Sequence, residues 1–375
     1  MSTTVQGLLD GQFTLGIEEE FQIVHPETRE LRSYVSQLLE GGKHSVLRER
    51  VRPEMHQSVV ETGTGICRDI RQARQEICEL RGELSALAGK HGLRIVAAGT
   101  HPFSDWKKQD ITDGERYKVI VEDLQDVARA NLIFGLHVHV GIKDKEVAMA
   151  LANQVRYFLP HLLALSTSSP FWLGRATGLK SIRSEIFKRF PRTGIPGHFD
   201  SYAQFQSYVE LLVKTGCIDN AKKIWWDVRA HPFFDTVEVR ICDMTTRIDD
   251  TVALTALIQA LMGKLYLLYR KNLGFREYAR ELIEENKWRA LRYGIDGQLI
   301  DFGKQAQLPV RVLIGELLDF VEEAAVIFKS EADIDRIRAI LKEGTSADKQ
   351  LAVFNKTGNV QAIVDHLIEQ TAMGA

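Results

Sequence analysis

The chain has 375 residues, 45% hydrophobic and 26% charged, the composition of a globular protein large enough for a sizeable core. Its 48 basic and 50 acidic side chains leave a formal net charge of −2, which excludes a global basic field for nucleic acid or anionic lipid. Four cysteines (Cys67, Cys78, Cys217 and Cys242) have no CxxC or zinc-type spacing and suit free thiols in a reducing cytoplasm. The start, MSTTVQGLLDGQF, has neither the basic end nor the apolar stretch of a signal peptide. The longest apolar run, VALTALIQALMG from Val252, is far short of about 20 residues. A soluble, cytoplasmic protein with no membrane or nucleic-acid partner is expected.

In chain order, FTLGIEEEFQIV (13–24) predicts a strand and HPET a turn. VRPEMHQSVVET (51–62) predicts two short strands or one extended stretch. Ile66, Ile70, Ala73, Ile77, Leu80, Leu84 and Leu87 recur with helical spacing, so a helix is expected from Ile66 to about Lys90. LRIVAAGTHPF reads as a strand entering a loop, and GERYKVIVEDLQDVARANL as a helix. The strand GLHVHVG (135–141) follows, then a helical pattern from Lys145 to about Thr167 and a Gly- and Pro-punctuated loop, SSPFWLGRATG. FDTVEVRICDM (234–244) alternates as a strand does, and beyond Asp249 the pattern is almost wholly helical. There Leu254, Leu257, Leu261, Leu265 and Leu268 line one stripe, Asp249 or Asp250 would cap it, and further helices are expected near 311–329, 332–343 and 359–371. Short strands with irregular connections favour α+β with a mainly antiparallel sheet over a doubly wound fold. One catalytic domain over 1–375 is expected, sheet-rich from 12 to 250 and mainly helical from 251 to 375.

Three strand-like segments carry ionisable groups on one face: Glu18 and Glu20, Glu238 and Arg240, and His137 and His139. Glu54 and Glu61 flank MHQSVV nearby. Taken singly, each pattern is ordinary: a solvated strand face, a surface EEE triplet, a pair of satisfied polar residues. Taken together they describe a carboxylate-rich surface that is held at neutral pH best by cations. Oxygen-dominated ligation with one imidazole suits Mg²⁺ or Mn²⁺, and such ions bridge nucleotide phosphates. Neither GxxxxGK[ST] nor a strand-linked GxGxxG is present, so a nucleotide would be held without a P-loop. Glu19 fits less well: it shares a face with Ile17, Phe21 and Ile23, and needs a bulge or a partner such as an arginine.

GIEEEFQIV, AAGTHPF, FGLHVHVGI, SSPFWLGRATG, RFPRTG and TVEVRICDMTTRIDDTVALTALIQAL, in order from about residue 13 to 260, together resemble the carboxylate-amine ligase family related to glutamate–cysteine ligase. The resemblance implies a glutamine synthetase-like fold, a curved, mainly antiparallel sheet with helices packed outside. It implies an ATP-dependent ligase forming an amide of γ-glutamyl type through an acyl phosphate, with Mg²⁺ or Mn²⁺. It also implies metal ligands at Glu18, Glu20, Glu54, Glu61, His137 and Glu238, with His139 and Arg240 facing the ATP phosphates and Glu238 and Arg240 in catalytic roles. Arg183 and Arg192 would grip a phosphate or a substrate carboxylate. The substrates implied are small molecules, an amino-acid carboxylate and an amine whose identity the residues leave open. The apolar stripe after Asp249 could bury against a second copy as readily as against its own sheet. Alternatives from other classes are a guanidino-type phosphotransferase, an HxH zinc hydrolase on a (β/α)₈ barrel, and a non-catalytic protein that binds ATP or an amino acid. The late helical half argues against the barrel.

Overall fold

In the computed structural model, residues 12–41 and 46–374 are described; the first eleven residues of the segment read as lacking a signal peptide lie outside them. Seven strands make one sheet: β1 (Leu15–Val24), β2 (Val51–Pro53), β3 (Val59–Gly63), β4 (Arg94–Val96), β5 (Leu136–Gly141), β6 (Val228–Ala230) and β7 (Thr236–Val239). Their order is β6-β7-β5-β1-β3-β2, β4 pairs with the end of β1, and every pairing is antiparallel. The expected mainly antiparallel α+β architecture is what the chain adopts, and 51–62 resolves into two strands.

Alternation sorts the strands into two faces. Leu15, Ile17 and Phe21 of β1, Leu136, Val138 and Val140 of β5, and Val237 and Val239 of β7 are all buried in the main core. Each such apolar side chain contributes about 1.5–3 kcal/mol by leaving water. Covering this face are α1 (Ile70–Lys90), α3 (Lys145–Val155) and α5 (Ile248–Tyr269). The short helix α2 (Glu115–Leu124) lies elsewhere, on a separate small cluster of Met55, Ile120, Ala128 and Phe190.

Several boundaries differ from expectation for local reasons. Helix α1 starts at Ile70, because the Asp69 side chain accepts the Gln72 N–H and caps it there, leaving Ile66 outside and 80% exposed. The helix expected over 114–132 breaks after Leu124, where Gln125 takes a positive φ of 49°, and resumes as one turn, Asp126–Arg129. The helix expected from Lys145 divides into α3, a 3-10 turn and α4 (Leu159–Ser166), whose first turn accommodates Pro160. Helix α5 begins at Ile248, so Asp249 and Asp250 occupy its first turn, where the helix dipole favours them, rather than its cap.

The 22 residues of α5 are long and apolar enough to cross a membrane by length and composition, yet 89% of its most apolar window is buried inside the protein. It is therefore a core helix, apolar all round instead of along one stripe. Behind it come α6 (Arg280–Tyr293), α7 (Val310–Phe328) and α8 (Glu331–Glu343), of which α7 and α8 pack directly on it. Two further helices, Ser346–Thr357 and Val360–Ala372, end the described chain. The helix at 202–214 was not anticipated from the pattern, nor was the hairpin of Gln298–Asp301 with Ala306–Pro309, which interrupts the helical stretch expected beyond Asp249.

Candidate active site

Strand register brings the polar residues together. Strand β5 sets His137 opposite Glu18 and His139 opposite Gly16 of β1. On its other side β7 sets Glu238 opposite His139, and β6 sets Arg229 opposite Glu238. Across β1, Glu61 of β3 faces Glu20, and Arg52 of β2 faces Glu61. The sheet face not covered by helices thus carries charged rows that end in a cleft of about 610 Å³. Glu18, Glu20, Glu54, Glu61, His137, His139, Arg183, Glu238 and Arg240 all line it.

Among the described residues, one group of three has metal-ligand atoms within 4.8 Å of one another: Glu18, His139 and Glu238. His139 Nε2 lies 3.7 Å from Glu18 Oε1 and 3.8 Å from Glu238 Oε1, is buried, and has no hydrogen-bond partner. Its other nitrogen, Nδ1, is 3.0 Å from Thr236 Oγ1. Three donors that converge without bonding one another, with the imidazole fixed from behind, fit a bound cation. The partner geometry places His137 differently: its Nδ1 donates to Glu18 Oε2 at 3.1 Å, so it orients a carboxylate of the trio. Burial and the Arg240 charge bring the His137 pKa down to about 4, keeping its ring neutral.

Electrostatics separate the carboxylates into two sets. Burial would raise Glu18, but the His137 hydrogen bond and the nearby His139 imidazole hold it well below the usual carboxylate range. Burial is likewise outweighed at Glu238, which Arg240 and Arg229 keep ionised; Arg229 Nε donates to its Oε2 at 2.5 Å, and Arg240 donates to Oε1. The second set is pushed the other way. Burial and the Glu54 charge raise Glu20 to about 7, burial with Glu18, Glu54 and Glu20 raises Glu61 well above its ordinary value, and burial raises Glu54. Such a set stays ionised at neutral pH only with added positive charge beside it.

Arg183 enters from the helical turn at 182–187. Its Nη1 and Nη2 reach the carbonyls of Ile241 and Arg240, its Nε is buried without a partner, and Asp243 Oδ1 lies 3.8 Å from Nη1. Asp243 is fixed in turn by Ser168 N–H, Ser169 Oγ and Ser181 Oγ at 3.0, 2.7 and 2.8 Å. Gly135 must lack a side chain here, since a Cβ would collide with the Arg183 guanidinium. Gly99 of AAGTHPF is equally constrained: a Cβ would sit 2.9 Å from Asp243 Cγ. Gly99→Ala is therefore expected to cost about 1–3 kcal/mol, read as a lowered urea midpoint, with loss of activity as Asp243 and Arg183 shift. An unchanged midpoint would show that the loop yields freely.

Arg192 is not brought to the cleft lining; its Nε donates to the Lys223 carbonyl and its guanidinium lies over Trp225. Conversely, Arg229, Arg52, Arg116 and His231 line the cleft and were not singled out from the sequence. For Arg229 and His231 a signal existed, because DVRAH alternates them with buried Val228 and Ala230. That run is three residues of strand followed by a turn, too short to stand out.

The family model for glutamate-cysteine ligase family 2 matches residues 14–366. A protein of Sorangium cellulosum (strain So ce56), provisionally named glutamate–cysteine ligase 2, is 80% identical over 373 residues, 99% of this chain and 100% of that one. A relative of the same provisional name from Roseiflexus castenholzii (strain DSM 13941 / HLO8) is 56% identical, covering 97% and 96% of the two chains. Among solved structures, the fold is similar to the glutamate–cysteine ligase of Francisella tularensis crystallised with AMP, with a TM-score of 0.69, 14% identity and coverage of 96% and 89%. It is also similar to a bifunctional glutathione synthetase of Pasteurella multocida, with a TM-score of 0.68, 15% identity and coverage of 98% and 53%. The chain belongs to glutamate–cysteine ligase family 2 and is an ATP-dependent carbon–nitrogen ligase.

Proposed function

We propose that the protein joins the γ-carboxylate of glutamate to an amine through an acyl phosphate, with Mg²⁺ or Mn²⁺ bound on the sheet face. The observation that carries this reading is the Glu18, His139 and Glu238 trio, with its unpartnered imidazole nitrogen beside Arg229 and Arg240. Glu18, His139 and Glu238 would hold one cation, His137 orienting Glu18, and Glu20, Glu54 and Glu61 would hold another. This departs from the sequence expectation in exchanging the two histidines. A bound cation neutralises phosphate charge as it develops in transfer.

The chain's own groups account for the rest. Arg240 and Arg229 would offer positive charge to a transferring phosphoryl group, and their shared partner Glu238 fixes both guanidinium groups. Arg183, anchored by backbone carbonyls, lines the cleft and would attract the donor's carboxylate through its charge. In the first step a carboxylate oxygen of the donor attacks the γ-phosphorus and ADP leaves. In the second the amine nitrogen attacks the acyl carbon, phosphate leaves and the amine gives up a proton. Cysteine and other amines are all acceptable to this scheme.

The test is ADP release with Mg²⁺, ATP and paired acids and amines, with product mass recorded. With glutamate and hydroxylamine alone, γ-glutamyl hydroxamate is expected to accumulate in step with ADP. ATP binding without ADP release from any pair would sink the ligase reading, whereas a stable phosphorylated guanidine would favour the phosphotransferase.

A further inference from the structure

One part of the cleft is not used by the acids or the arginines. The hairpin between β6 and β7, residues 231 to 235, carries Phe233 and Phe234 at the rim, each 56% exposed. Exposing two adjacent phenyl rings is unfavourable and is not required by the turn, which is held by polar contacts. His231 Nδ1 accepts the N–H groups of Phe233 at 3.2 Å and Phe234 at 2.9 Å. Lys145 Nζ donates to the Phe234 carbonyl at 2.7 Å and the His231 carbonyl at 3.3 Å. The rings are thus presented by a braced turn.

They also lie in sequence with the trio. His139 meets His231 edge-on at 5.5 Å and Phe234 at 6.2 Å between ring centroids, and His231 stacks on Phe234 at 4.4 Å with planes 10° apart. Beyond it, Lys222 Nζ lies 5.1 Å from the Phe233 ring centre. From the unpartnered His139 nitrogen outward, the lining changes from charged groups to flat apolar rings with one cation. A nucleoside triphosphate changes in the same order, from phosphates to a planar base.

We propose that Phe233 and Phe234 form the shelf on which the purine base stacks, so that this end of the cleft takes the nucleoside half of the substrate. This rests on the ATP-dependent reading above and deepens it. Recognition by a ring face is tolerant of base identity, so GTP gains from the shelf in the same proportion as ATP.

The test is calorimetric titration of the full chain with Mg²⁺ and either ATP, GTP or inorganic tripolyphosphate. Wild-type protein is expected to bind ATP more tightly than tripolyphosphate. Substituting both Phe233→Ala and Phe234→Ala should weaken ATP and GTP about tenfold or more and leave tripolyphosphate unchanged. Phe233→Trp with Phe234→Tyr should preserve the wild-type order. ATP bound by the alanine variant as tightly as by wild type, or an equal loss for ATP and tripolyphosphate, overturns the shelf. Wild-type protein binding both ligands equally overturns the shelf alone; binding neither overturns the ATP reading with it.

Discussion

Glu18→Gln should lower metal-dependent ADP release by about 10²- to 10³-fold or more while leaving the fold intact. Glu18 offers one oxygen to the trio and the other to His137, and it is partly open to the cleft, so the amide keeps the hydrogen bond and loses the charge. Glu238→Gln should abolish turnover to the same degree but also destabilise the protein. Its carboxylate is the buried partner of both Arg229 and Arg240, and removing it leaves two buried cations with less compensation, at a cost of about 3–5 kcal/mol. The histidines separate by role. On the proposed assignment, His139→Ala should resemble Glu18→Gln, whereas His137→Ala, which would remove the group orienting Glu18, should cost about 10- to 100-fold. Steady-state ADP release with metal titration, run beside urea unfolding, checks all four; a His137 effect larger than that of His139 would return the ligand role to His137.

Arg81→Met should destabilise the protein by about 3–5 kcal/mol, enough to consume much of an ordinary domain's stability. Arg81 on α1 and Glu19 on β1 are both buried from solvent and form a two-pronged pair, Nε to Oε2 at 3.0 Å and Nη2 to Oε1 at 2.5 Å. Arg81 Nη1 also donates to the Thr246 carbonyl at 2.8 Å, and Thr251 Oγ1 donates to Glu19 Oε1 at 3.0 Å. The single substitution leaves a carboxylate in the core without its counter-charge. The pair Glu19→Leu with Arg81→Met should recover most of the loss, because neither charge then needs a partner. Urea midpoints of the three variants decide it, and a loss below about 1 kcal/mol for Arg81→Met would contradict the assignment.

That pair shows how far the sequence could be read. Glu19 stands out as a charge on the core face of β1, so its need for a partner, an arginine among the candidates, is visible in the alternation. Which arginine is not visible, because Arg81 lies 62 residues away on a helix whose angle to the sheet no local pattern encodes. The same limit applies to the cleft. Period-two alternation places Glu18, Glu20, His137, His139, Glu238 and Arg240 on one face. Deciding which histidine meets both Glu18 and Glu238 requires the relative register of three strands, which hydrogen bonding fixes only on folding. Arg192 illustrates the converse limit, since a cluster of arginines in sequence need not share a direction in space: Arg183 lines the cleft, while Arg192 turns to the Lys223 carbonyl and the Trp225 ring.

Strand β5 finally links correctness of folding to correctness of chemistry. Both its faces are buried, one by helices and one by the cleft. A slip of one residue against β1 would turn His137 and His139 into the aliphatic layer and Leu136, Val138 and Val140 toward the carboxylates. A form slipped by one residue could not keep its core and lose only its activity. Chains that err at this strand would be unstable as well as inert, and so open to proteolytic clearance rather than persisting as well-folded competitors for nucleotide.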